Sequence, residues 1–134
     1  DFRQILREVG SNYPDIFMAT CNWFQSVDQG RIFENDGGHA DEMETSLMLY
    51  TWPELVQPLA KAGPGKAKKF RVGGLNESWA WTERKWTETT EDTGIGDPRK
   101  ATKKKGEIYF KAVTEKLATL MIELAGADPD RLYT

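Results

Sequence analysis

Between Asp15 and Phe24 the chain reads DIFMATCNWF, with hardly a polar break. A strand with one wet face would alternate every second residue. A short continuous apolar run instead matches a strand covered on both faces, as in a parallel sheet. Ahead of it, Phe2, Ile5, Leu6 and Val9 recur at helical spacing. That helix is expected over about Asp1 to Val9, stopping at Gly10, with Pro14 in the following loop. A helix leading directly into a buried strand implies an α/β architecture. Asn22, Trp23 and Phe24 would stand at the strand's C-terminal end, the edge where open α/β sheets hold ligands.

The remainder reads as loops and two further helices. Gln25 to Gly38 is polar and glycine-bearing. From about Asp41 a helix is expected, with Met43, Leu47, Met48 and Trp52 as its apolar stripe and Pro53 ending or bending it. KAGPGKAKK (Lys61 to Lys69) is a basic surface turn that lacks the spacing of a phosphate-binding glycine loop. SWAWTERKW (Ser78 to Trp86) alternates weakly and reads as a strand or hairpin. Its three tryptophans would either pack internally or form a substrate wall or subunit contact. TGIGDP (Thr93 to Pro98) is a tight turn. A long helix then runs from about Arg99 to Leu124, with Val113, Leu117, Leu120, Met121 and Leu124 on one face. The basic run Arg99 to Lys105 falls in its first turns, against the helix dipole. It should lie in solvent or meet an acidic neighbour. Neither a repeat nor a second domain is visible, so residues 1–134 are expected to form a single domain.

Composition narrows the classes. With 134 residues, 39% hydrophobic and 29% charged, the chain is of globular rather than disordered type. A net charge of −3 argues against a general nucleic-acid binder. A single cysteine rules out an internal disulfide framework. No apolar run reaches the roughly 20 residues of a membrane span, and no signal-peptide pattern is visible. A cytoplasmic protein free of membrane and nucleic acid is the expectation.

The densest chemistry lies in GGHADEMETSLMLY, Gly37 to Tyr50. Asp41 followed three residues later by Glu44 fits an Asp-capped capping box, and Glu42 suits a first helical turn. The same residues permit catalysis. His39, the only histidine, can move protons near neutral pH, and carboxylates bind divalent metals. One histidine cannot build a three-histidine zinc site, so a complete metal centre would need ligands from elsewhere. Spacing alone leaves both readings open.

HADEMETSLMLYTWPELV strongly resembles the signature of the creatininase (creatinine amidohydrolase) family, H-A-G-E-x-E-T-S-L-M-L followed by P-x-L-V. TGIGDPRKATKKKG is similar to the family's G-x-x-G-D-P motif and the helix after it. DFRQILRE resembles the helix that follows the family's G-H-G-G-N motif. The likeness spans essentially the whole chain and places it as the C-terminal half of a protein about twice as long, whose N-terminal half carries most metal ligands. The resemblance implies a three-layer α/β/α sandwich assembled as a homo-trimer or hexamer. It implies hydrolysis of a non-peptide or cyclic C–N amide bond by water activated on two divalent ions, typically zinc or manganese. By the same resemblance, His39 would be the proton donor to the leaving nitrogen, with Glu42 orienting it or capping the helix. Glu44 would reach the metal, and Trp23 would form part of the substrate wall. The partners implied are the N-terminal half and a small amide substrate.

The sequence departs from the family at three points. Asp41 replaces a glycine, Asn35 stands where creatininase carries a tryptophan over its substrate, and Gly38 replaces an acidic residue. Asn35 thus becomes a candidate substrate contact, and the specificity points to a small amide or ring other than creatinine. The alternatives are a formamidopyrimidine deformylase-like enzyme, a mycofactocin-type peptidase, or a family member retained for structure or regulation without catalysis.

Overall fold

The computed structural model describes residues 2–35 and 37–133. The chain divides into two compact units, Asp1–Val27 with Ala112–Thr134, and Asp28–Lys111.

In the first unit, helix α1 spans Phe2–Asn12 and buries none of its residues. It runs past Gly10, the expected stop, because local bonds satisfy its last carbonyls. Tyr13 N donates to Val9 O, Ser11 Oγ to Arg7 O at 2.8 Å, and Asn12 Nδ2 to Glu8 O at 3.1 Å. The expected start at Asp1 lies outside the described residues.

The expected buried strand is not formed. Residues 16–22 are irregular backbone without a ladder partner, and Ile16 and Phe17 are exposed. Trp23–Gln25 then closes a 3-10 turn. A strand needs a neighbour to take its amides and cover its faces, and the described residues supply none. Their β structure is one isolated antiparallel bridge, His39 to Ile95. No sheet layer of an α/β/α sandwich is therefore present among them.

The second unit is built around helix α2, Glu42–Thr51. Asp41 caps it, its side chain accepting from Glu44 N at 2.9 Å. Trp52 is its C-cap, and Pro53 opens a 3-10 turn, Pro53–Leu55. Met43 is buried as the apolar stripe requires, but Trp52 swings out and is exposed. Two one-turn helices follow, α3 (Gly73–Asn76) and α4 (Trp86–Thr89). The second occupies the end of the segment expected to be a strand or hairpin. Ser78 sits in the left-handed region at φ 64°, and Ala80 N returns to Gly74 O, so the chain folds back before an alternating strand can run.

The last helix also begins later than its composition suggests. Asp97 caps a 3-10 turn over Pro98–Lys100, Ala101 is extended, and α5 covers Lys103–Gly126. Thr102 Oγ1 accepts from Lys105 N at 3.1 Å at its start. No described helix is long and apolar enough to cross a membrane.

Phe33, Met43, Ala101 and Tyr109 form the apolar core of the second unit. The Phe33 and Tyr109 rings meet edge to face, 5.2 Å apart at 77°. Burial pushes the Tyr109 hydroxyl above its ordinary range, opposed by its hydrogen bond to Gln29. Beside this core the start of α5 comes very close to α2. A Cβ on Gly106 would sit 1.9 Å from Ser46 O, a backbone atom that cannot turn away. Thr102 N also donates to the fully buried Ser46 Oγ at 3.2 Å.

Gly106→Ala should therefore destabilise the protein by about 2 kcal/mol or more, despite alanine's higher helix propensity, because the two segments must separate. Urea denaturation measures this. A variant as stable as the parent would refute the close approach.

Candidate functional site

Loop 37–40 is held against the TGIGDP turn by three backbone bonds. Gly38 N and His39 N both donate to Ile95 O, at 2.8 and 3.1 Å, and Ile95 N donates to His39 O at 2.8 Å. Two stretches far apart in sequence thus meet at His39. The approach is close at Gly37, where a Cβ would lie 2.1 Å from Asp41 Cβ and 2.8 Å from Ile95 O.

Ala40 then turns the chain into α2 through the left-handed region, at φ 51°. A non-glycine residue there costs on the order of 1 kcal/mol and persists only when its surroundings enforce it. They do so through a reciprocal cap. Asp41 accepts from Glu44 N, while Glu44 Oε2 reaches back to Ala40 N at 2.6 Å. The return bond lands one residue before the cap, so the same carboxylate sits beside the histidine. His39 Nδ1 lies 3.8 Å from Glu44 Oε2, and both side chains are about half exposed. The imidazole also packs against Trp86, ring centroids 5.1 Å apart at 54°.

Glu42, a candidate catalytic residue by sequence, is placed differently. It is fully buried. Its Oε2 accepts from Glu34 N at 3.1 Å and Asn35 N at 2.9 Å, and its Oε1 takes Lys105 Nζ at 2.5 Å. Both oxygens are engaged and neither is open to a reactant, so in this structure Glu42 is an anchor. Lys105 is equally saturated. Its three donors meet Glu42 Oε1, Glu34 Oε1 at 3.1 Å and Lys100 O at 3.2 Å. Lys100 closes the network on Glu34 Oε2 at 2.6 Å. The basic run thus has its acidic neighbour.

Burial alone would push the Glu42 carboxyl up. Lys105 and the amides of Asn35 and Glu34 outweigh it, and the group ends below its ordinary value of 4.5. Lys100 and Lys105 likewise hold Glu34 down. The Lys105 ammonium is pushed up, chiefly by Glu42. Asp41 moves the other way. Burial raises it, against the bond from Glu44 N.

The structure brings together His39 and Glu44, and separately Asn35 and Glu42. Asn35 Nδ2 also donates to Asp97 O at 3.3 Å, tying its loop to the GDP turn. Trp23 lies in the other unit, edge-on to Phe24 with centroids 5.9 Å apart. Lys105 and Ile95 were not singled out from sequence; only the charge run hinted at the first, and nothing local marks the contact of the second with His39. Trp86 was one of three tryptophans expected to pack internally or to form a substrate wall or subunit contact, and the structure sets it against His39. Among the described residues no group of three or more His, Cys, Asp or Glu side chains could hold a metal ion. His39 and Glu44 form one imidazole–carboxylate pair of the kind zinc or manganese accepts.

An exposed histidine beside a carboxylate at a capped helix start is a site suited to proton transfer. Residues 2–121 match the creatininase (creatinine amidohydrolase) family, and the chain belongs to it. Its fold is similar to the crystal structure of a proposed creatinine amidohydrolase from Bacteroides fragilis NCTC 9343. The two share 44% sequence identity at a TM-score of 0.88, over 100% of this chain and 52% of that one. The chain thus spans about half the length of that structure. No curated protein is significantly similar.

Two outcomes follow for the buried pair. Glu42→Gln removes one partner of a buried ion pair and should lower stability by about 3 kcal/mol in urea denaturation. A loss below about 1 kcal/mol would refute the anchoring role. The acid limb should change as well. Glu34 and Glu42 have lowered folded values, so their stabilisation is complete above about pH 4.5 and is lost as pH falls through those lower values. Asp41, being raised, opposes this slightly. Melting temperature should fall on acidification below pH 4.5, and more gently in Glu42→Gln; parallel curves would contradict the linkage.

Proposed function

We propose that this chain carries part of the active site of a metal-dependent amidohydrolase that cleaves a non-peptide or cyclic C–N amide bond. The pairing of His39 with Glu44 at 3.8 Å, within the family's H-A-x-E-x-E motif, carries this reading. Glu44 is the ligand that this chain offers to a divalent ion, zinc or manganese. When bound, such ions activate the water that attacks the amide carbonyl.

His39 has a different task. Its backbone is clamped on both sides by Ile95 and its ring is steadied by Trp86, while about half of its side chain stays exposed. It delivers a proton to the leaving nitrogen as the C–N bond breaks. Glu44 holds the Ala40 turn and therefore the direction in which His39 points. Glu42 acts only through the frame. Asn35, where creatininase has tryptophan, opens the site to an amide other than creatinine.

The remaining ligands come from sequence beyond these 134 residues, matching the half of the Bacteroides fragilis protein that this chain does not cover. In the complete protein, a cytoplasmic homo-trimer or hexamer, residues 16–22 gain strand neighbours and complete a three-layer α/β/α sandwich.

The test is His39→Asn in the full-length protein, assayed on creatinine and a panel of small cyclic and formyl amides. The turnover number should drop about 10²- to 10⁴-fold with folding unchanged by circular dichroism. Undiminished turnover would remove His39 from the chemistry. Chelation should abolish activity and zinc or manganese restore it; activity that survives complete metal removal would refute the metal-dependent reading.

A further inference from the structure

Trp86 has a second neighbour besides His39. The guanidinium carbon of Arg84 lies over its ring, 5.0 Å from the centroid. Next to this stack opens a cavity of about 420 Å³, lined in part by Phe70, Leu75, Trp81, Arg84 and Trp86. Three aromatic side chains and one cation therefore share a cavity with a wall that touches the histidine. Ligand sites have this composition, with apolar faces to hold a body and a few polar groups to fix its orientation.

Arg84 is the informative member. Among the described residues no carboxylate pairs with it, and its recorded partner is the indole. A guanidinium stacked on an aromatic face keeps its in-plane N–H edge available, and that edge fits the two oxygens of a carboxylate. A neighbouring cavity of about 550 Å³ shares Phe70 and is lined by Lys68, Lys69, Arg71 and Lys85, offset by two glutamates. The local potential therefore favours an anion.

We propose that this cavity is the subsite for the part of the substrate remote from the scissile bond, and that it selects planar amides bearing a carboxylate. Arg84 pairs with the carboxylate, Trp81 and Trp86 stack on the planar body, and Trp86 sets its distance from His39. The assignment rests on the hydrolytic reading above and deepens it by naming a substrate class.

The probes are N-benzoylglycine and its uncharged methyl ester, titrated against the full-length protein by tryptophan fluorescence and calorimetry. Wild type should bind the acid about tenfold more tightly than the ester. Arg84→Met should erase the difference, and Arg84→Lys should keep part of it because the charge remains without the fork. Arg84 is exposed, and the lysine variant controls for folding. Equal binding of acid and ester, no binding of either, or a difference that persists in Arg84→Met would each overturn the subsite. Binding is read without turnover, which separates the two proposals. The expected binding pattern in a protein that cleaves no amide supports the subsite and overturns the hydrolytic reading alone. Hydrolysis indifferent to the carboxylate overturns the subsite alone.

Discussion

A carboxylate sealed from water at the first turn of α2 sets the geometry of the second unit. Glu42 is satisfied by two backbone amides and one ammonium, and each comes from a different position in sequence than the helix that carries it. A buried charge missing any of these would be expensive. The loop at Glu34 and Asn35, the start of α2 and the start of α5 must therefore form together. The same network resolves an apparent conflict. Three lysines open α5 where the helix dipole disfavours cations, yet Lys105 directs its charge into the Glu34–Glu42 pair. Charges that look misplaced along one helix are correctly placed between two segments.

With that frame fixed, the neighbouring turn can hold strain. Ala40 stays in the left-handed region because Glu44 binds its amide and Asp41 binds the amide of Glu44. The three residues hold one another, and the result is a histidine pointing outward from a rigid base. Glu42 and Glu44, two positions apart, thus divide the work. One is buried and locks the framework, while the other stays at the surface beside His39.

What could be read from the chain depended on the range of the interaction. The Asp41–Glu44 cap, the stop at Pro53 and the glycine turn before Asp97 are local chemistry, and the structure carries them where the residues indicate. The apolar run from Asp15 to Phe24 forms no strand among the described residues, because a strand exists only with its neighbours, which no local pattern can supply. SWAWTERKW failed for a related reason. Its alternation was weak, and a single left-handed residue at Ser78 breaks it. Glu42 shows the limit at the candidate site itself. Its type suited catalysis, but its decisive partner stands 63 positions along the chain, and only the fold reveals that both its oxygens are used.

The His39–Ile95 bridge has a consequence for how such a protein diversifies. It clamps the main chain at the two ends of everything between residues 40 and 94, so the backbone at His39 is fixed apart from most of that excursion, while its ring is steadied from within it by Glu44 and Trp86. Lengthening a flexible loop between fixed ends costs little, about 0.6 kcal/mol for each doubling. Phe70, Trp81 and Arg84 all lie inside this excursion. The walls of the proposed subsite can therefore change in length and composition while the clamped backbone at His39 stays where it is.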